Sequence, residues 1–412
     1  MSKIFYGWWI VIACFLMGLF GNGIIAYCFT GFIEPIAREF GWSYAQISLA
    51  ASIRGLEVGL AAPILGWFID RWGSRRVVFC CSLILCLGLF LLSRTMTLAV
   101  FYIAFILIGI GVSGFTLPII TITVANWFRK RISVATGIAI SGASIGGLLL
   151  PLLTHIMESQ GWRLAVLVIL LGVVIIVLPL SLLLRYRPEQ CGLLPDGKKE
   201  IDPTAQEIPE NEKPQNLDPN LKQALRNNVF WRLSIAFTSS HFIAGALITQ
   251  VMPYLSSIGI NRYIASIIAS SIPVMSIVGR LSMGFFGDRF NKKLVTAATF
   301  IMIGLAMFLF SFTGTFGIWL AVISLILFGI GYGGGITMAG PITRVFFGRN
   351  NFGVIFGSIM GITQIGNIAS APLAGWVYDK WGTYQWFWLF TSAIAILAAI
   401  ILLTSSSQRI KE

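Results

Sequence analysis

Charge is what this sequence has least of. Asp, Glu, Lys and Arg together make up 11% of its 412 residues, against about 25% in an ordinary soluble domain. Only two histidines are present, and the six cysteines (Cys14, Cys28, Cys80, Cys81, Cys86, Cys191) are scattered with no CxxC or metal spacing, so they read as packing residues. Metal ligands and cofactors are not expected. No P-loop, calcium loop, HExxH or GxSxG context appears, which weighs against an ATP-driven pump or a familiar hydrolase. Neither histidine has an evident acid or nucleophile partner. Glu158 lies three residues after His155, but at a helix end, so no catalytic residue is assigned and an enzyme is not expected. A cleavable leader is not expected either, because no small-residue cleavage pattern ends a short apolar core near Met1.

What fills the chain instead is apolar surface, 57% of all residues. A membrane span needs about 20 apolar residues, and the charged clusters divide the sequence into twelve such stretches: 8–33, 46–69, 77–94, 98–126, 132–156, 164–184, 230–257, 262–287, 294–312, 315–343, 353–377 and 385–404. The expected fold is therefore an all-α membrane protein of twelve helices. Those stretches longer than 25 residues imply tilt or bending. The net charge of +13 invites a nucleic-acid reading, but its distribution argues for lipid. With the N-terminus taken as cytoplasmic, 22 of the 29 Lys and Arg residues fall on the cytoplasmic side, five on the other side and two, Arg54 and Arg280, inside spans. Positive charge on the inner loops is how such proteins are oriented. Both termini are expected in the cytoplasm, in the cell inner (plasma) membrane, with no nucleic-acid partner.

Between the sixth and seventh spans the composition changes abruptly. Residues 186–228 are polar, Pro-rich and mixed in charge, and read as a cytoplasmic linker between a 1–185 bundle and a 229–412 bundle of six helices each. The two halves repeat one another. GWFIDRWGSRR (66–76) is answered by GFFGDRFNKK (284–293), which sets Asp70 and Asp288 218 positions apart, and Pro35 and Pro253 share that offset. IGIG (108–111) is answered by FGIG (328–331) at 220. Parallel halves about a central axis, with the solute site near mid-membrane, are what such a repeat implies.

The first repeat copy carries mechanism. Gly66 permits close helix approach, Asp70 can accept from helix N-terminal N–H groups or from a basic side chain of a neighbouring span, Gly73 follows, and Arg71, Arg75 and Arg76 stay in the anionic interface. Asp288 and Arg289 belong to the degraded second copy. A latch that favours the outward-open state is expected here. This pattern resembles the signature of the major facilitator superfamily, including its weaker second copy. Two further stretches resemble the monocarboxylate transporter branch: YGWW (6–9), like the start of its first helix, and NWFRKRISVATGIAISGASIGG (126–147), like its fifth-helix signature, with glycines at Gly137, Gly142 and Gly146. The segment RPEQCGLLPDG (187–197) resembles bacterial members and the related oxalate:formate exchangers.

Charges inside spans cost about 2.5–3.5 kcal/mol each even on a lenient scale and default to functional hypotheses. Arg54 and Glu57 lie three apart on one helix face and can neutralise one another or form a gate. Arg280 has no acid within one helical turn. A guanidinium fork matches a carboxylate, and its place resembles that of the eighth-helix arginine that holds substrate carboxylate in monocarboxylate transporters. The chain also departs from that pattern: AYCFTGF (26–32) has no lysine and position 276 is Ser276, where the resemblance would put the groups tied to proton coupling. The eleventh span offers Gln364 and Asn367 instead of a second cation, which suits a monoanion better than a dicarboxylate. Other candidate lining groups are His241, Tyr332, Asn22, Tyr27, Gln250 and Asn367, with His241 and then Glu57 as proton-coupling candidates. The expected function is secondary transport of a small lactate- or pyruvate-like organic anion by alternating access, as a monomer, with proton symport and exchange both open. A drug or amphipathic-solute exporter and a membrane sensor are the alternatives.

Overall fold

The computed structural model describes residues 5–147, 149–185, 188, 193–197, 220–349 and 351–405, with side chains left out at some helical positions. The described chain is helical throughout. Among the described residues, the long helices group into twelve segments. In the first half they are 6–40, Tyr44–Trp72, Ser74–Ser93, Leu98–Trp127, Ile132–Gly147 together with Leu150–Gln160, and Trp162–Leu183; in the second, Asn228–Ser257, Arg262–Arg289, Lys292–Ser311, Ile318–Phe347, Phe352–Trp381 and Gln385–Leu403. They are referred to below as spans one to twelve. Among the described residues, nine are individually long and apolar enough to cross a membrane, and the shorter apolar helices Tyr6–Phe20 and Ile132–Gly146 belong to spans one and five. Lipid supplies no hydrogen-bond partners, so each crossing must satisfy its own backbone, which helices do.

Polar side chains mark where helices begin. Ser43 and Gln46 form a reciprocal capping box at the start of span two, with Ser43 Oγ accepting from the Gln46 amide at 3.2 Å and Gln46 Oε1 accepting from the Ser43 amide at 2.9 Å. Asn227 Oδ1 accepts from the Val229 amide at 2.8 Å at the start of span seven. The repeated turn after spans two and eight is closed in two ways. Gly73 turns the chain with φ 82°, a region L-residues avoid, whereas its counterpart Asn291 keeps φ −60° and caps span nine by accepting from the Lys293 amide at 2.9 Å.

Span one is not a continuous α-helix. Tyr6–Met17 and Ile25–Phe40 flank a π-helical stretch, Gly18–Ile24, and span six carries a shorter one, Val173–Val177. The π stretch of span one lies on the glycine face of span five. A Cβ at Gly142 would sit 2.0 Å from the Phe15 carbonyl oxygen, and one at Gly146 2.4 Å from that of Leu19, so only hydrogen fits there.

The chain forms two compact units. One comprises Met1–Asn216 together with Asn350–Ser358, and the other Leu217–Arg349 with Ile359–Glu412. Span eleven thus begins in the first unit and continues in the second. The second unit's core holds an aromatic group in which Tyr254, Phe310, Tyr384 and Trp388 are each 5% exposed or less, with Tyr254 and Phe310 edge to face at 4.9 Å and Phe310 and Trp388 at 5.2 Å.

Candidate functional site

The first unit carries the acidic turn. Asp70, at the end of span two, accepts hydrogen bonds from two backbone amides in the first turn of span eleven: Gly353 N–H to Oδ1 at 3.2 Å and Val354 N–H to Oδ2 at 2.9 Å. First-turn amides have no intrahelical acceptor and carry the positive end of the helix dipole, so a carboxylate is their natural partner. Gly66 makes this approach possible, since a Cβ there would lie 2.3 Å from the Gly353 carbonyl oxygen. Arg71 turns outward over the Trp67 ring at 5.4 Å, and Arg75 and Arg76 are exposed. In the second copy Arg289 lies over the Phe285 ring at 4.2 Å, while Asp288 is half-buried.

Three segments that stand far apart in sequence meet at the same membrane face of this unit. Tyr6 and Phe5 pack on Trp127 with ring centroids at 5.3 and 5.9 Å, and Trp8 packs on Phe128 at 5.2 Å. Trp127 Nε1–H donates to the Arg185 carbonyl at 2.8 Å, and Tyr6 hydroxyl donates to that of Leu183 at 2.8 Å. Asp196, held at φ 62°, accepts from the Arg129 and Lys130 amides at distances of 3.1–3.4 Å. The aromatic start, the basic stretch before span five and the LLPDG segment are therefore one structure. Their sequence separation concealed it.

At the opposite end of the unit, Glu39 forms an ion pair with Arg163 and accepts from Trp162 Nε1–H at 2.7 Å. Arg163 also donates to the Thr95 carbonyl at 3.2 Å and lies over the Trp162 ring at 4.7 Å. Partial burial alone would raise the Glu39 carboxyl, but the hydrogen bonds from Arg163 and Trp162 and the guanidinium charge outweigh it and hold it below the usual range. Nothing in the sequence pairs these residues, because they close a contact between span one, the turn after span three and span six.

In the second unit, His241 Nδ1 lies 3.0 Å from the Phe237 carbonyl. A carbonyl can only accept, so Nδ1 carries the hydrogen and Nε2 is the basic nitrogen of the neutral ring. The imidazole meets Tyr332 edge to face at 6.4 Å, and Tyr332 stacks on buried Phe328 at 5.5 Å. One turn along span seven, Gly245 leaves room for Asn367, whose Oδ1 would lie 2.4 Å from a Cβ at that glycine. Gly333 lies against the Ser276 carbonyl, which brings the turn of span eight bearing Ser276 and Arg280 beside the turn of span ten bearing Tyr332. Arg280 is 8% exposed. Gln250 accepts from the Tyr384 hydroxyl at 3.0 Å, at the edge of the aromatic group. Thr238, three residues before His241, has a buried hydroxyl with no hydrogen-bond partner among the described residues. It was not foreseen, since a threonine in an apolar span carries no signal of its own.

Glu57 belongs to the first unit, and its Oε2 is buried with no hydrogen-bond partner among the described residues. The side chains of Asn22, Tyr27 and Arg54 lie outside the described residues, so the Arg54–Glu57 pairing finds no description here. No group of three or more His, Cys, Asp or Glu poised to hold a metal occurs among the described residues.

Twelve helices in two halves, an acidic turn on a helix start and buried polar groups within apolar spans define a multi-pass solute transporter. The profile of the Major Facilitator Superfamily matches residues 15–323 and again 242–411, and the chain belongs to that family of transporters, not to the enzymes. Monocarboxylate transporter 12 of Xenopus laevis is 25% identical over 99% of this chain and 90% of its own length. An agnestins efflux protein of Paecilomyces divaricatus is 25% identical over 94% and 86%. Among solved structures, the E. coli fucose:proton symporter superposes with a TM-score of 0.71 at 15% identity, covering 96% of this chain and 97% of that one. The proton:xylose symporter gives 0.69 at 13%, covering 97% and 95%. The fold is thus that of the superfamily.

Proposed function

We propose that this secondary transporter moves a small organic monoanion of the lactate or pyruvate type, with Arg280 as the carboxylate partner. The observation that carries the reading is an arginine only 8% exposed inside an apolar helix, beside the turn that bears Tyr332 and, through Tyr332, His241. A permanent cation costs too much in a span to be kept for packing alone. The names of relatives aligned over nearly the whole chain point the same way. In this reading Tyr332, His241 and Asn367 line the site with Arg280, and Gln250, Asn22 and Tyr27 are further candidate lining groups. His241 Nε2 is the first proton carrier and Glu57 the second, which leaves symport and exchange as the two modes of coupling. Asp70 on span eleven is the latch of the outward-open state, with Gly73, Arg75, Arg76, Asp288, Arg289 and the Arg54–Glu57 turn as its accessory parts. The termini and the linker lie in the cytoplasm, by the distribution of Lys and Arg.

Uptake of radiolabelled monocarboxylates into proteoliposomes tests the reading. Arg280→Ala should abolish it and Arg280→Lys should retain a part, because the charge survives but the fork does not. Unchanged carboxylate uptake in Arg280→Ala overturns it. A second reading, export of larger amphipathic solutes, is favoured by the relative named for efflux. Thermal shifts with monocarboxylates, dicarboxylates and hydrophobic cations separate the two: stabilisation by the cations alone selects export.

A further inference from the structure

A groove of about 250 Å³ opens on the first unit between the beginning of span one and the end of span six, lined by Tyr6, Trp9, Ile10, Ala13 and Leu183. Its span-one wall is a single helical stripe, spaced i, i+3, i+4, i+7. At 1.5 Å per residue it runs about 10 Å into the hydrocarbon from the membrane face. Trp9 is 57% exposed and Leu183 54%, so the rim is apolar and turned to lipid. The shape suits an acyl chain.

The mouth of the groove is basic. Arg185 follows Leu183 by two residues and is exposed, and its carbonyl is tied to Trp127, which packs on Tyr6 of the groove wall. Arg129, Lys130 and Arg131, all exposed, begin two residues after Trp127. Asp196, an acid at this face, directs its carboxylate to the Arg129 and Lys130 backbone amides. Four exposed cationic residues thus belong to the segments that meet at this end of the groove. Tyr6 and Trp9 are of the types that settle at the headgroup level.

We infer that this groove is a binding site for an anionic phospholipid, one acyl chain along Tyr6–Ala13 and the phosphate among Arg185, Arg129, Lys130 and Arg131. Choline lipids share the chain but not the net charge, so the site discriminates by headgroup. A basic side chain near a membrane surface attracts an anionic lipid by about 1 kcal/mol, which is about fivefold in affinity.

Native mass spectrometry of the delipidated full-length protein, titrated with phosphatidylglycerol or phosphatidylcholine of identical chains, tests this. Wild type should bind phosphatidylglycerol preferentially. Arg185→Gln should weaken that binding about fivefold, while Lys222→Gln, which removes an exposed charge far from the groove in sequence, should leave it unchanged. Leu183→Trp, which narrows the groove at an exposed rim position, should reduce the binding of both lipids. Equal affinity for the two lipids, or equal losses in Arg185→Gln and Lys222→Gln, overturns the inference, as does protein dimerisation that persists with lipid and is broken by Leu183→Trp.

Discussion

Asp70 reaches from the end of span two to the amide of Val354, 284 residues later, at 2.9 Å. The bond is made to backbone, so its strength depends on the carboxylate and on the helix start and not on any side chain of span eleven. Asp70→Ala should cost about 0.5–2 kcal/mol, the range for losing a helix-capping group. Asp70→Asn should cost less, since one acceptor oxygen remains. Thermal unfolding in detergent reads the loss, and exchange of the Gly353 and Val354 amides should quicken in both variants. Slowed exchange in either would contradict the assignment.

The glycine face of span five gives a steric prediction. Gly142→Ala places a methyl 2.0 Å from the Phe15 carbonyl oxygen, and overpacking of this kind costs about 1–3 kcal/mol. Gly375→Ala is the control, because nothing lies within 4 Å of a Cβ at that site. Melting temperature should fall in the first and stay level or rise in the second.

The Glu39–Arg163 pair sets a pH dependence. The folded-state pKa of Glu39 is depressed, so its contribution is fully present above the unfolded value of about 4.3 and is lost as pH falls through the folded value. The pair is about one-third exposed on both sides, and its contribution is therefore no more than about 1 kcal/mol. Glu39→Gln should lower the melting temperature at pH 7 and lose less stability than wild type between pH 5 and pH 3. Parallel melting curves across that range would refute the pair's role.

Asp196 anchors the segment after span six to the start of span five. In Asp196→Ala the Arg129 and Lys130 amides lose their acceptor, and their hydrogen exchange should accelerate severalfold while amides in the second unit, such as Leu247, keep their rates.

What the sequence made legible follows from the kind of physics involved. The twelve spans are visible because lipid demands long apolar runs, and hydropathy alone records them. The Gly66, Asp70 and Gly73 pattern is visible because its residue types are uncommon in that order. Its partners were not visible, since backbone amides of Gly353 and Val354 leave no trace in side-chain identity. The same holds for Asp196 with Arg129 and Lys130: each segment stood out separately, but their contact depends on a turn with φ 62° at Asp196. From sequence Gln250 reads as a lining group, and Tyr384 occupies its Oε1, a pairing 134 residues apart that no local pattern announces. His241 stood out as a rare residue, but its tautomer required the Phe237 carbonyl.

The π-helical stretch Gly18–Ile24 bears on how the two halves are compared. Each i→i+5 turn takes up one residue more than an α-turn, which rotates all that follows by about 100° relative to an unbroken helix. Span seven is continuous α-helix from Asn228 to Ser257. A residue of span one beyond Ile24 therefore faces a different direction from the residue 218 positions later, although the sequence offset itself never changes. The duplication is intact as text and broken as geometry at this point.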